Sequence, residues 1–149
     1  MEKQVDSDPA EGWSVFEDPE RRFLLRYPAQ WRVLIDNPDR TLIQEKSLSA
    51  ELAIVFFDGD CATSLSALRT KRLNYYLVRE FTRPIAGIET TILEFRDTIS
   101  NVREFHAFLP AERRCCHLRW RRSERSEGLR LEPTLENMLF TFKFLTRKS

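Results

Sequence analysis

The stretch RFLLRYPAQW, Arg22 to Trp31, constrains the fold more than any other part of the chain. Phe23, Leu25 and Tyr27 alternate with Leu24 and Arg26, so one face is apolar at period two and the segment predicts a half-buried strand. Pro28 then ends the ladder. It has no N–H to donate and it biases Tyr27 towards extended geometry, so the chain must turn before Trp31 restarts an apolar run through Val33 and Ile35. The indole of Trp31 is expected to anchor that corner by burial.

The elements after this corner follow the same logic. Asp36-Asn37-Pro38-Asp39 is turn chemistry and predicts a hairpin between a strand at Trp31 to Ile35 and one at Thr41 to Glu45. Glu51 to Phe57 is apolar on both faces, which suits the central strand of a sheet covered on both sides. Asp58-Gly59-Asp60 ends that strand. Thr63 or Ser64 is then placed to cap a helix running to about Phe81, with Leu65, Leu68, Tyr75 and Tyr76 along one stripe. The two aspartates make a turn and not a calcium loop, because Ala62 to Leu68 adds only hydroxyls as further ligands.

A meander of three strands is predicted at Gly87 to Arg96, Val102 to Leu109 and Arg114 to Arg122. If Ala111 and Glu112 form a two-residue turn, one face pairs Ala107 with Cys116, Phe105 with Leu118 and Arg103 with Trp120. The other pairs Phe108 with Cys115, His106 with His117 and Glu104 with Arg119. A slip of two residues would keep both faces and change every partner. Ser123 to Gly128 reads as a polar loop. Pro133 beside Glu132 opens a C-terminal helix with Leu135, Met138 and Leu139 on one face, and the alternation of Phe140, Phe142 and Phe144 predicts a final short strand.

A chain of 149 residues, 42% hydrophobic and 32% charged, suits one domain, taken as 13–149 after an acidic, disordered tail at 1–12. No apolar run is long enough to cross a membrane, and the polar, acidic first twenty residues do not read as a secretory signal, so a cytoplasmic protein without membrane insertion is expected. Cys61, Cys115 and Cys116 make an odd count with two adjacent members. A disulfide framework is therefore not expected, and a reducing compartment fits.

Net charge is +1 overall, yet seven acids face Lys3 alone in residues 1–20, which leaves the remainder mildly basic. The candidate partner-binding surface is the cluster Arg113, Arg114, Arg119, Arg121, Arg122 and Arg125, suited to an acidic protein surface. The alternative for these arginines is a solvated edge paired with Glu104, Glu112 and Glu124. Cys115, His106 and His117 offer the one constellation for an enzyme or metal protein. With Glu104 as the sole further ligand and Arg119 competing for it, no bound metal is expected. No nucleophile elbow, phosphate-binding glycine loop or two-histidine zinc helix is present, so no catalytic residue and no cofactor is assigned. Near-neutral charge argues against a nucleic-acid reader.

Taken together, FEDPERRFLLRYPAQW, the strand apolar on both faces, the helix opening at TSLSAL, the long meander and the ending LENMLFTFKF resemble the PsbP-like fold over Trp13 to Leu145. The resemblance implies an α+β domain with a central antiparallel sheet flanked by helices. It also implies use as a non-catalytic binding or accessory module, an adaptor or a chaperone. It carries no catalytic residue over to this chain.

Overall fold

The computed structural model describes residues 12–70 and 75–145, so most of the expected acidic tail lies outside the described residues. Strands β1 (Trp13–Glu17), β2 (Phe23–Pro28), β3 (Arg32–Asn37), β4 (Arg40–Gln44) and β5 (Ala50–Phe57) come first, followed by helix α1 (Cys61–Arg69). Next come β6 (Tyr75–Ile85), β7 (Ile88–Asp97), β8 (Val102–Ala111) and β9 (Arg114–Ser123), then α2 (Ser126–Arg130), α3 (Glu132–Thr141) and β10 (Lys143–Phe144). Seven strands form one sheet in the order β3-β4-β5-β9-β8-β7-β6, and β10-β2-β1 form a second, smaller sheet. All pairings are antiparallel.

The RFLLRYP segment forms β2, the middle strand of the small sheet, with Phe23 and Leu25 fully buried and Arg26 exposed. Phe23 meets Phe56 of β5 at 5.8 Å and Phe142 at 5.4 Å between ring centroids, which joins the two sheets. Trp31 is buried at the corner after Pro28. Helix α3 lies against β2 and β5 through buried Leu135, Met138 and Leu139. The core therefore sits between one face of the large sheet, the small sheet and α3, with Trp120 stacked on Phe105 at 5.6 Å.

Several expectations need correction. The helix after β5 stops at Arg69, where the Thr70 hydroxyl bonds the Ala67 carbonyl; Lys71 to Asn74 lie outside the described residues. Tyr75 to Ile85, rich in aromatic and β-branched residues, is a strand. Asp60 caps α1 by accepting from the Thr63 N–H at 2.9 Å, where Thr63 or Ser64 was expected. The polar loop after β9 contains the short helix α2, and Phe140 belongs to α3 and projects into solvent, leaving only Phe144 in the last strand. Helices cover only part of the large sheet: α1 rests on β8 and buries none of its residues.

The register of β8 and β9 differs by two residues from the expected one. Arg114 pairs with Ala111, so the turn is Glu112-Arg113 and Glu112 takes a left-handed φ of 60°. Nothing in Glu-Arg signals that turn. The faces survive the slip, and the partners become Ala107 with Leu118, Phe105 with Trp120, His106 with Arg119 and Phe108 with His117.

The expectation about cysteines also fails. Cys61, the first residue of α1, is bonded to Cys115 of β9 across 54 residues of sequence, with Cα atoms 5.4 Å apart. Cys116 points to the opposite, apolar face, fully buried. Adjacent cysteines on a strand face opposite ways, which leaves Cys115 free to meet a distant third.

Candidate functional site

At the end of the sheets where the β8–β9 turn meets the β3–β4 turn, a cleft of about 530 Å³ opens between the two layers. Its apolar lining comes from Phe56, Pro110, Ala111 and Phe144, and its charged lining from both signs: Arg22, Arg113 and Arg114 with Glu20, Asp39 and Glu112. Sequence places these groups here for separate reasons. Arg22 immediately precedes β2, Asp39 sits in the turn that Pro38 enforces, and Arg113 and Arg114 close the β8–β9 hairpin.

Asp39 is the hub. It accepts from Arg114 Nη1 and Nη2 at 2.9 and 3.0 Å and from Arg22 Nη1 at 2.9 Å. Arg22 in turn donates from Nε at 2.6 Å and from Nη2 at 3.1 Å to buried Asp18, and from Nη2 to the Pro38 carbonyl at 2.7 Å. Its guanidinium lies 4.1 Å from the centre of the Phe56 ring. Arg114 also donates from Nε to Asp58 at 2.9 Å. The hydrogen bonds from Arg114 and then Arg22 hold the Asp39 carboxyl at a pKa of about 2. The same bond to Asp39 raises Arg114. A fixed clamp of two arginines and three aspartates thus edges an apolar floor.

The six arginines expected to form one surface are dispersed. Arg113 and Arg114 edge the cleft. Arg119 reaches Glu51 at 2.6 Å and Glu104 at 3.6 Å, and Arg121 reaches Glu104 at 3.8 Å. Arg122 is buried and ties β9 to Glu124 at 2.8 Å and to Glu132 of α3 at 2.7 Å. Arg125 is exposed before α2. Asp39, Asp18 and Arg22 were absent from the sequence reading of the site; the turn dipeptide Pro38-Asp39 was legible only as a turn.

His106 and His117 do come together, diagonally and not directly across the ladder. His106 Nδ1 and His117 Nε2 are 2.9 Å apart, and His106 Nε2 is 3.0 Å from Glu104 Oε1. With Glu104 ionised, His106 donates from Nε2, which makes its Nδ1 the acceptor for the His117 Nε2–H. Burial, then the proximity of His106 and Arg119, lowers the His117 pKa to about 3. Burial pushes Glu104 up, but the hydrogen bond from His106 and the nearby guanidinium charges of Arg119 and Arg121 outweigh it and hold the carboxyl below its ordinary value. His117 stacks on Phe108 at 4.3 Å. Cys115, the third member of the expected constellation, is committed to its disulfide. Among the described residues no cluster of three or more His, Cys, Asp or Glu side chains is arranged for a metal.

The topology defines an α+β protein built on antiparallel sheets, in which the described helices do not close over the large sheet. By sequence, no family model and no curated protein matches the chain. Solved structures do match by shape. The solution structure of cyanobacterial PsbP (CyanoP) from Synechocystis sp. PCC 6803 superposes with a TM-score of 0.61 at 11% identity, covering 95% of this chain and 98% of that one. LpqN of Mycobacterium tuberculosis, involved in cell envelope biogenesis, gives 0.53 at 13% identity, covering 90% and 91%. PA94 of Pseudomonas aeruginosa, a protein of unknown function, gives 0.53 at 14%, covering 92% and 99%. The fold is PsbP-like, as the sequence motifs implied. No helix among the described residues is long and apolar enough to cross a membrane.

Proposed function

We propose that this chain is a non-catalytic accessory module that binds another protein, and that the cleft at the Arg22–Asp39–Arg114 clamp receives it. The observation that carries this reading is the pairing of an apolar floor with a rigid polar edge in one 530 Å³ opening, which is how binding pockets combine affinity with orientation. Because Asp18, Asp39 and Asp58 already engage Arg22 and Arg114, the clamp shapes the opening, and Arg113, which lines it beside Glu20 and Glu112, is the group offered to a partner's carboxylate. The partner segment would lay an apolar side chain over Phe56, Pro110 and Phe144. The PsbP-like fold supports an accessory class of function by analogy.

Affinity capture from native lysate tests this with three baits: the wild type, Arg113→Glu at the edge of the cleft, and Arg125→Glu away from it. The expected result is one or a few nuclease-resistant proteins retained by the wild type and Arg125→Glu and lost by Arg113→Glu. Equal retention by all three baits, or recovery of nucleic acid alone, would sink the reading.

A further inference from the structure

The Cys61–Cys115 bond sits where a structural cross-link is least needed by the core and most needed by one helix. Helix α1 buries no residue; Leu65 and Leu68 are only half-buried, and the helix rests on β8 alone among its larger contacts. Two ion pairs also hold it: Asp58 with Arg114 near its start, through a carboxylate that is 89% exposed, and Arg69 at its end with Glu80 of β6, through side chains that are both more than a third exposed. Exposed pairs of this kind contribute little. The disulfide is therefore the main fixture of α1 to the sheet.

The two sulfurs are not equivalent. Cys115 is fully buried, whereas Cys61 is part-exposed and borders a shallow cleft of about 180 Å³ lined by Ala62, Leu65, Phe108 and Pro110. Cys61 is also the first residue of α1, where backbone N–H groups stabilise a thiolate. Asp60 is taken up by the Thr63 N–H and hydroxyl at 2.9 and 2.8 Å. The third cysteine, Cys116, lies on the other face with its thiol pushed up by burial, which keeps it out of exchange.

We propose that Cys61–Cys115 is a thiol–disulfide exchange site for a dithiol, and that its reduction releases α1 from the sheet. A thiolate of the dithiol attacks Cys61 Sγ, the Cys61–Cys115 bond breaks, and Cys115 leaves as a thiolate that takes up a proton. The second thiolate of the dithiol then attacks its own first sulfur in the mixed disulfide and expels Cys61, whose departing charge faces the start of α1. The bond gains two electrons and two protons, and the dithiol becomes a disulfide. Departure of α1 uncovers Phe108 of β8.

The test uses the oxidised full chain under native conditions, treated with a graded series of dithiothreitol, labelled with a maleimide and followed by amide hydrogen exchange. The expected result is joint labelling of Cys61 and Cys115 with Cys116 protected, and exchange over residues 61–69 faster by on the order of tenfold or more, while β5, β8 and β9 keep their protection. Unchanged protection of α1 after reduction would overturn the proposal, as would reduction that proceeds only in denaturant or loss of protection across the whole sheet. The Cys61→Ser/Cys115→Ala variant should show the reduced pattern without reductant, and oxidised-like protection of α1 in it would overturn the proposal equally. Should that variant fail to fold, reduction of the wild type decides.

Discussion

The two faces of the seven-stranded sheet are built from the same strands and held by different physics. On one face Leu52, Ile54 and Phe56 of β5, Phe105, Ala107 and Leu109 of β8, and Cys116, Leu118 and Trp120 of β9 meet α3 and the small sheet. On the other, Glu51, Glu104, His106, His117, Arg119 and Arg121 share hydrogen bonds and ion pairs, and α1 is fastened by a disulfide. Burial of apolar area stabilises the first face without any specific bond. The second depends on named partners, so it is the face where single changes in solution conditions should act.

The cross-link provides the largest expected effect. Closing a loop of 54 residues restricts the unfolded chain by about 4 kcal/mol in the chain-entropy treatment. Denaturant melts of oxidised and reduced protein should differ by up to that amount in global stability, with the sheet still formed in both. Equal midpoints would show that the second face does not rely on its tether.

Met138→Ala addresses the apolar face. Met138 is fully buried in the centre of α3, and truncation there should cost about 3 kcal/mol from lost transfer energy and the cavity left behind. Leu65→Ala on half-buried α1 should cost below about 1 kcal/mol. Chemical denaturation of both variants measures the ratio; comparable losses would erase the distinction between the two helices.

The same division governs what could be read from the sequence. Period-two patterning located β2 and the strands of the meander, a run apolar on both faces located β5, and the Leu135–Met138–Leu139 spacing located α3, because each of these elements buries apolar side chains. Misreadings gather on the other face. Helix α1 has no buried stripe to mark its end, so Tyr75 and Tyr76, which open β6, were drawn into it. The β8–β9 register turned on Glu112 adopting a left-handed backbone without glycine or asparagine to announce it. The disulfide partners are far apart in sequence, and the cleft arises where two turns and a C-terminal strand converge, which local patterns do not encode.

The half-buried His117 makes the polar face sensitive to pH. His117 has a folded pKa of about 3 against an ordinary 6.5, so between those values the unfolded state binds a proton that the native state does not. Stability should therefore be full above about pH 6.5 and decline as pH falls towards 3. Thermal melts from pH 8 to pH 4 should show that slope, and His117→Gln, which keeps a donor for His106, should flatten it. An identical slope in the variant would place the acid sensitivity elsewhere.

The smallest effect concerns Asp39, which joins the two sheets through Arg22 and Arg114. Its folded pKa of about 2 lies below the ordinary 3.8, so the carboxylate contributes stability that is fully present above about pH 4 and is lost as pH falls through 2. The side chain is 39% exposed, and solvent screening keeps the contribution modest. Because Arg22 keeps Asp18 and Arg114 keeps Asp58 as partners, Asp39→Asn should relax the cleft without loosening either face. Amide exchange in Asp39→Asn should quicken at the β3–β4 and β8–β9 turns alone. Quickening that spread into α3 or α1 would mean that the clamp couples the two faces, and that their separation into a self-sufficient apolar side and a tethered polar side is drawn too sharply.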